Sequence, residues 1–192
     1  YGINEFIICL GYKGQVIKEF FNNYNLYVNN VTFELGNNKK KFISNESEDW
    51  KVTLIETGES TLTGGRLARI KKYLNPGPFC FTYGDGVGDV NISELIKNHI
   101  KSKKLATLTA VQPPGRYGSL EIKGNLVQSF KEKPKGDSAW INGGFFVLDP
   151  KVIDLISGDD CVWEEEPLEQ LSKQNQLNAY KHYGFWQPMD NK

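Results

Sequence analysis

Short apolar runs alternate with amphipathic stretches over the first 111 residues. Apolar residues in continuous runs or at every second position predict β-strands at 5–10, 31–35, 51–56, 79–83 and 105–111. Apolar residues at helical spacing predict helices at 15–24, 64–74 and 92–100. A strand, a helix and a further strand in succession indicate a parallel crossover and a Rossmann-like sheet.

The pattern changes after this point. Segments 117–122, 127–131 and 141–148 predict strands joined by short turns, with Lys123-Gly124-Asn125 as a hairpin turn. Helices are predicted at 152–156 and 168–171, and a last strand at 177–183. The predicted fold class is therefore α/β: a Rossmann-like mixed, mainly parallel sheet flanked by helices, with a smaller antiparallel lobe that includes 141–148. A length of 192 residues suits one domain, 1–192.

Composition narrows the possible partners. The 23 basic residues balance the 23 acidic ones, so no charge excess indicates nucleic acid binding. No apolar run approaches the roughly 20 residues that a membrane helix needs. Cys9, Cys80 and Cys161 are far apart in the sequence, which favours a reduced, cytoplasmic setting.

The candidate metal ligands are two aspartates that follow strands. The apolar run 79–83 leads into Gly84-Asp85-Gly86, at the carboxyl end of a strand where open α/β sheets bind ligands. Asp190 follows the last predicted strand, so the two carboxylates are expected to converge on one cation. Oxygen ligands suit Mg²⁺ better than zinc. The alternative for Asp85 alone is a simple Asp-Gly turn that closes the strand.

Two further segments have ligand-binding character. Gly64-Gly65 opens a helix that Thr61 or Thr63 could cap, and its backbone N–H groups would be free for a base or a phosphate. Glu132-Lys133 pairs an acceptor for hydroxyls with a cation for phosphate. The alternatives are an ordinary helix start and a charged turn, respectively.

The local structure of two later segments is predicted from their composition alone. Asn142-Gly143-Gly144 has the composition of a strand start where other atoms approach the backbone closely. The run 164–166 of three glutamates is consistent with the acidic first turn of a helix.

Six motifs, in this order over nearly the whole chain, resemble those of the sugar-nucleotide pyrophosphorylases, and most narrowly the branch of that family that makes CDP-glucose. They are Thr63-Gly64-Gly65-Arg66-Leu67, Phe81-Thr82-Tyr83-Gly84-Asp85-Gly86-Val87, Pro113-Pro114-Gly115-Arg116-Tyr117-Gly118, Phe130-Lys131-Glu132-Lys133-Pro134-Lys135-Gly136-Asp137, Ile141-Asn142-Gly143-Gly144-Phe145-Phe146 and Gly184-Phe185-Trp186-Gln187-Pro188-Met189-Asp190. Each motif alone is weak, whereas six in the same order are specific.

The resemblance implies a role for each candidate residue. Asp85, Lys133 and Asp190 are the implied catalytic residues, and the two aspartates hold the Mg²⁺ that bridges nucleotide and sugar phosphate. Glu132 contacts the sugar hydroxyls and Lys133 binds the sugar phosphate. The other implied substrate contacts are Gly64, Gly65 and Arg66 at the cytosine, and Gly118, Asn142 and Gly143 around the sugar.

The implied reaction joins CTP and glucose 1-phosphate. A phosphate oxygen of the sugar attacks the α-phosphorus of CTP, pyrophosphate leaves, and CDP-glucose forms. No protein nucleophile is needed, because in-line positioning and charge neutralisation supply the catalysis. Neither nucleic acid nor membrane is an expected partner, and the full-length protein is expected to be a homo-oligomer.

The chain departs from the family pattern at both ends. The family's first strand, its glycine-rich loop with a Thr-Arg pair and the lysine that follows are not found, as if the chain began about fifty residues into the fold. A C-terminal extension is also not found beyond Lys192. We therefore expect the parent protein to be the enzyme and these residues alone to be nearly inactive.

Two other functions stay open. Asp85 and Asp89 loosely match the paired aspartates of metal-dependent glycosyltransferases, but their spacing is wider than Asp-x-Asp and leaves Glu132 and Lys133 unexplained. A chain that keeps the sugar pocket without the triphosphate loop would instead be a non-catalytic sugar-phosphate-binding subunit.

Overall fold

The structure is a computed structural model that describes residues 1–113, 119–131 and 139–189. The β-strands in these ranges are β1 Glu5–Leu10, β2 Val31–Glu34, β3 Lys39–Phe42, β4 Lys51–Glu56, β5 Phe79–Thr82, β6 Gly86–Gly88, β7 Ala106–Val111, β8 Ser119–Lys123, β9 Leu126–Lys131, β10 Ile141–Leu148, β11 Leu177–Lys181 and β12 Trp186–Pro188. The α-helices are α1 Gly14–Asn22, α2 Tyr24–Val28, α3 Thr63–Arg69, α4 Ile92–Ser102 and α5 Glu166–Lys173. Short 3-10 helices lie at Leu35–Asn37, Lys71–Tyr73 and Pro150–Leu155.

A four-stranded sheet in the order β11-β7-β10-β5 positions the candidate site. Strand β11 is parallel to β7, whereas β10 is antiparallel to both β7 and β5. Because β5 and β7 both oppose β10, they run in the same direction, and α4 connects them. The parallel crossover expected from the sequence is therefore confirmed, with β10 inserted between its two strands.

The placement of 141–148 corrects one expectation. This segment does not belong to a separate antiparallel lobe but is an inner strand of the four-stranded sheet. Its second half explains why, since Phe146, Val147 and Leu148 are each at most 1% exposed and so are buried on both faces. The antiparallel hairpin β8–β9 does form, and it is paired separately from this sheet.

A second parallel pair lies in the first part of the chain. Strands β1 and β4 pair in register from Glu5 with Lys51 to Leu10 with Glu56. The strand that comes next after helices α1 and α2, β2, pairs antiparallel with β3 instead. Side chains of β1 and β4, including Ile7 and Ile55, pack against the main hydrophobic core. The mixed α/β class predicted from the sequence is thus confirmed.

The core lies between the four-stranded sheet and the helical segments. Its buried residues are Leu67, Ile70, Ala106, Phe146, Leu148, Val152, Ile153, Trp163, Leu168 and Leu171.

Helix α4 begins at a side-chain cap, because Asn91 Oδ1 accepts a hydrogen bond from the Glu94 N–H at 3.1 Å. Among the described helices, none has the length and apolar character needed to cross a bilayer.

Candidate active site

The candidate site lies at one edge of the four-stranded sheet. The carboxyl ends of β5, β7 and β11 share this edge, and the reversed strand β10 begins there. The turn after β5 therefore meets the first residues of β10. A methyl group added at Gly86 would lie 4.0 Å from the carbonyl oxygen of Gly143. The turn that contains Asp85 therefore lies beside the first residues of β10, and the predicted substrate contacts of Asn142 and Gly143 stay predictions.

Asp85 is exposed, and the chain that precedes Asp190 runs beside it. Strand β12 pairs antiparallel with β6, with Pro188 opposite Gly86. The next residue continues this pairing, since the Met189 N–H donates to the Asp85 carbonyl oxygen at 2.8 Å. Asp190 itself lies outside the described residues, so its convergence with Asp85 stays a prediction.

Gly143 and Gly144 lie where the β10 register shifts, between Asn142 and Phe146. A Cβ on Gly143 would lie 2.7 Å from Val111 Cγ1. Gly144 has a φ of +76°, and a Cβ there would lie 2.8 Å from Tyr83 Cδ2. The close approach predicted from the two glycines is confirmed. The Gly144 N–H donates to Asn142 Oδ1 at 2.9 Å, which fixes that side chain at the strand edge.

Two polar side chains near this edge were missed by the sequence analysis. The Tyr83 hydroxyl is buried without a hydrogen bond to a described residue. Burial raises the pKa of Tyr83, and the nearby Glu164 carboxylate raises it further. The phenol therefore stays neutral and keeps its donor capacity. Tyr83 directly precedes Gly84-Asp85, and this position was the only sequence signal that could have identified it.

Glu164 is not part of a helix, contrary to the expectation for the glutamate run. Helix α5 begins at Glu166, so only the third glutamate lies in its first turn. Glu164 Oε2 instead accepts a hydrogen bond from Thr63 Oγ1 at 2.7 Å, across 101 positions of sequence. The same hydroxyl accepts from the Trp163 N–H at 2.9 Å. Glu164 therefore links the start of α3 to the surroundings of Tyr83.

The start of helix α3 differs from the prediction in two ways. Neither Thr61 nor Thr63 caps it, because its N-cap residue is Leu62 and no side chain caps the first turn. Its N–H groups are not free either, since the Gly64 N–H donates to the Cys161 carbonyl oxygen at 2.9 Å. A Cβ on Gly65 would lie 2.5 Å from the Asp159 carbonyl oxygen. The two buried glycines allow the segment 159–161 to pack directly on the helix.

Arg66 also contacts the protein itself. Its Nη1 donates to the Leu10 carbonyl oxygen at 3.0 Å and to Thr57 Oγ1 at 2.8 Å. Its Nη2 lies 3.3 Å from the Glu59 carbonyl oxygen. The guanidinium therefore joins the ends of β1 and β4 to α3. The predicted cytosine contacts of Gly64, Gly65 and Arg66 are not tested by these geometries and stay predictions.

The other predicted residues cannot be placed. Gly118, Glu132 and Lys133, like Asp190, lie outside the described residues. Within residues 1–113, 119–131 and 139–189, no group of three or more histidine, cysteine or carboxylate side chains forms a metal cluster. One exposed carboxylate at a strand end fits Mg²⁺, which in proteins commonly takes one or two carboxylates together with substrate phosphates.

This fold, with a carboxylate at the carboxyl edge of its sheet, is that of a nucleotide-dependent transferase, and a sequence model of the nucleotidyl transferase family matches residues 7–186. The chain therefore belongs to the nucleotidyl transferase family. The glucose-1-phosphate cytidylyltransferase of Salmonella typhimurium (strain LT2) is 54% identical over 191 residues, which cover 99% of this chain and 74% of that protein. The Bacillus subtilis (strain 168) protein named as a probable glucose-1-phosphate cytidylyltransferase is 41% identical with the same coverage. The resemblance inferred from the six motifs is confirmed.

Solved structures support the fold alone. HddC from Yersinia pseudotuberculosis matches with a TM-score of 0.64 at 23% identity, over 98% of this chain and 74% of that chain. A UDP-glucose pyrophosphorylase complexed with UDP-glucose matches with a TM-score of 0.64 at 13% identity, over 99% of this chain and 77% of that chain.

Proposed function

We propose that the natural protein containing these residues transfers CMP from CTP to glucose 1-phosphate, giving CDP-glucose and pyrophosphate. Sequence similarity to the named cytidylyltransferases supports the substrates. The structural observation that carries the proposal is the approach of the Asp85-Gly86 turn to Met189 and Gly143 at one sheet edge, where Met189 bonds to Asp85 and Gly86 lies beside Gly143. This edge is where α/β sheets bind nucleotides and phosphates.

Asp85 and Asp190 would hold Mg²⁺. When bound there, the ion would neutralise the charge that collects on the phosphates during transfer. Support comes from the exposed Asp85 carboxylate and from the β6–β12 ladder, which carries the chain to the residue before Asp190.

The other roles concern substrate positioning. Asn142 and Gly143 would contact the sugar, and Gly143 would do so through its backbone because Val111 fills the space of a side chain. Glu132 and Lys133 would contact the sugar hydroxyls and phosphate, and Gly118 would line the same pocket. The phosphate oxygen of the sugar forms the new bond to the α-phosphorus as pyrophosphate departs, so the protein must align these groups but supplies no nucleophile.

A glycosyltransferase based on Asp85 and Asp89 fits the structure less well. The two aspartates lie at opposite ends of β6, and Asp89 Oδ1 is 3.0 Å from His182 Nε2. A carboxylate engaged in this way is a poor candidate for a shared metal ligand. A non-catalytic sugar-phosphate-binding subunit remains a possible outcome of the activity test.

Three further expectations belong to the same proposal. Residues 1–192 form a single domain, and the full-length protein is a homo-oligomer. Because CTP is an intracellular metabolite, the protein acts in the cytoplasm, in keeping with its free cysteines Cys9, Cys80 and Cys161.

Pyrophosphate release tests the proposed reaction. The natural protein is incubated with Mg²⁺, glucose 1-phosphate and CTP, UTP, dTTP or GTP, without an acceptor sugar. We expect release with CTP at the highest kcat/KM. No release with any nucleotide, combined with glucose 1-phosphate binding, would identify a non-catalytic subunit. Preference for another nucleotide would retain the family and exclude the cytidylyl assignment.

Substitution of Asp85 tests the metal assignment. Asp85→Asn should lower kcat by at least about a hundredfold, the size expected when an electrostatic contact to the transition state is lost. Its melting temperature should be unchanged because the side chain is exposed. Asp154→Asn is a matched control, since Asp154 is exposed and lies 2.6 Å from Lys71 Nζ, outside the proposed site. Activity of Asp85→Asn close to that of the control at saturating Mg²⁺ would exclude Asp85 as a ligand.

A further inference from the structure

The β6–β12 ladder needs attachment to the rest of the fold. Each of its strands has only three residues, and it is not paired with the four-stranded sheet. A two-stranded ladder is marginally stable on its own in water. Trp186 lies opposite Gly88, at the end of the ladder away from Asp85, and its indole N–H donates to the Gly143 carbonyl oxygen at 2.8 Å. This contact fixes one end of the ladder against β10.

The same end of the ladder is also fixed by Asp89 and His182. The Asp89 N–H donates to the Phe185 carbonyl oxygen at 3.1 Å, which closes the ladder. His182 Nε2 lies 3.0 Å from Asp89 Oδ1 and 3.1 Å from the same Phe185 oxygen. Since both neighbours are acceptors, Nε2 carries the proton and donates to the pair. A neutral imidazole is sufficient for this role.

His182 also connects the ladder to the four-stranded sheet. It follows β11 directly, and its own N–H donates to the Ala110 carbonyl oxygen of β7 at 2.9 Å. The residue is 9% exposed, so its ring is held by its surroundings. A shift of the ring would therefore be passed to Asp89 and Phe185, and through them to the ladder.

The close packing at Gly184 indicates that this arrangement tolerates little movement. A Cβ on Gly184 would overlap Asp89 Oδ1 and would lie 2.7 Å from His182 Cε1. The turn between β11 and β12 can thus close over the Asp89–His182 pair only when residue 184 has no side chain. This requirement explains the glycine at position 184.

We propose that Asp89 and His182 are positioning residues for the metal site. They hold the β6–β12 ladder in register and so keep Met189 beside the backbone of Asp85, just before β6. The inference rests on the proposed function, which assigns Asp85 and Asp190 to the metal. Ligand spacing matters because catalytic geometry is sensitive to shifts of about 1 Å.

Hydrogen–deuterium exchange tests the structural half of the inference without any activity. The variants are Asp89→Ala, with Asp154→Ala as control, and His182→Leu, with His182→Gln and His99→Gln as controls. Asp89 and Asp154 have the same side-chain exposure, 65%. His182→Gln keeps a donor near the Nε2 position, and His99 is a second buried histidine, on α4.

We expect faster exchange at residue 89 and at Met189 in Asp89→Ala and His182→Leu, by at least about threefold and up to about tenfold, as for the loss of one ordinary hydrogen bond. His182→Gln should restore slow exchange, and the Asp154 and His99 controls should leave it unchanged. Unchanged exchange in both Asp89→Ala and His182→Leu would overturn the proposal.

Kinetics of the natural protein test the functional half. In Asp89→Ala the half-saturating Mg²⁺ concentration should rise about three- to tenfold, as the exchange rates do. The KM for glucose 1-phosphate at saturating Mg²⁺ should stay within about twofold of its value in the unsubstituted protein. A general loss of stability would not produce this split. Faster exchange with an unchanged Mg²⁺ requirement would overturn the positioning role. Absence of CMP transfer in the unsubstituted protein would instead refute the proposed function, and exchange would still decide whether Asp89 and His182 hold the ladder.

Discussion

Replacement of Arg66 by methionine separates two roles for this residue. The sequence motif implies a contact with cytosine, whereas the structure shows the guanidinium bonded to the ends of β1 and β4. Methionine keeps the length, the apolar stem and the helix propensity of the side chain but removes its donors. If the observed contacts are the main role, Arg66→Met destabilises the fold. If the base contact is the main role, it raises the KM for CTP and leaves stability intact.

The size of the destabilisation follows from the hydrogen bonds that are lost. A hydrogen bond to a charged group contributes about 1.5–3 kcal/mol. Two bonds have good geometry, to Leu10 O at 3.0 Å and to Thr57 Oγ1 at 2.8 Å, whereas the third is long at 3.3 Å and exposed. Leu10 O keeps a partner, because the fully buried Thr57 hydroxyl also donates to it at 2.8 Å. The two bonds sum to roughly 3–6 kcal/mol, and because the Thr57 hydroxyl keeps its own bond to Leu10 O, we expect the lower part of that range, about 3–4 kcal/mol.

Urea unfolding of the natural protein, followed by tryptophan fluorescence, measures this change. Arg69→Met is the matched control, because Arg69 lies on the same helix but is exposed and pairs only with the exposed Asp159. The loss of unfolding free energy in Arg69→Met should be much smaller than in Arg66→Met. Gly11→Ala provides a second approach to the same contacts, since a Cβ there would lie 2.6 Å from both terminal nitrogens of Arg66. Gly11→Ala should lower the unfolding free energy less in the Arg66→Met background than in the unsubstituted protein.

Two results would refute the structural role. One is equal, small destabilisation by Arg66→Met and Arg69→Met. The other is strict additivity of Gly11→Ala and Arg66→Met, which would mean that the glycine and the guanidinium do not share a space. Unchanged stability with a higher KM for CTP would support the cytosine contact instead.

Two further predictions concern packing and pH. Gly65→Ala should cost about 1–3 kcal/mol because its Cβ meets the Asp159 backbone, whereas Gly36→Ala, with nothing within 4 Å, should change unfolding free energy by less than about 0.5 kcal/mol. Burial lowers the pKa of His99, although Asp149 opposes this, so the unfolded chain binds the proton more readily. The contribution of His99 to stability is therefore complete above pH about 6.5 and decreases as the pH falls below that value. The urea midpoint should drop from about pH 7.5 to about pH 5.5 less in His99→Asn than in the unsubstituted protein, and equal drops would contradict the assignment.

The features predicted correctly from the sequence are those that local chemistry determines. An apolar run followed by Gly84-Asp85 predicted a strand with a carboxylate after its end, and two successive glycines indicated the close approach at Gly143. In both cases the deciding atoms belong to neighbouring residues or to adjacent strands. Periodicity likewise identified the β5–α4–β7 crossover, because each of its elements buries one face or both.

The features missed depend on contacts between distant parts of the chain. The N–H groups at Gly64 were expected to be free, but the carbonyl oxygen of Cys161 occupies them. A run of glutamates is typical of the first turn of a helix, but Glu164 lies before helix α5 and accepts a hydrogen bond from Thr63. Neither partner can be deduced from spacing, since the segment 159–164 follows the core strand β10 and its route depends on the whole fold.

The reversal of β10 explains the composition of the site. In an all-parallel sheet the ligand-binding edge receives only the residues that follow each strand. Here one inner strand runs the other way, so its first residues, Asn142 and Gly143, meet the turn that follows β5. The first residues of a strand can expose backbone groups to a ligand while the rest of the strand stays buried, and the fully buried Phe146 and Leu148 hold β10 in place. The site therefore combines a carboxylate from a strand end with a glycine backbone from a strand start. Because Trp186 of β12 bonds to Gly143 and the following Met189 bonds to Asp85, a shift of that strand would disturb both contacts together.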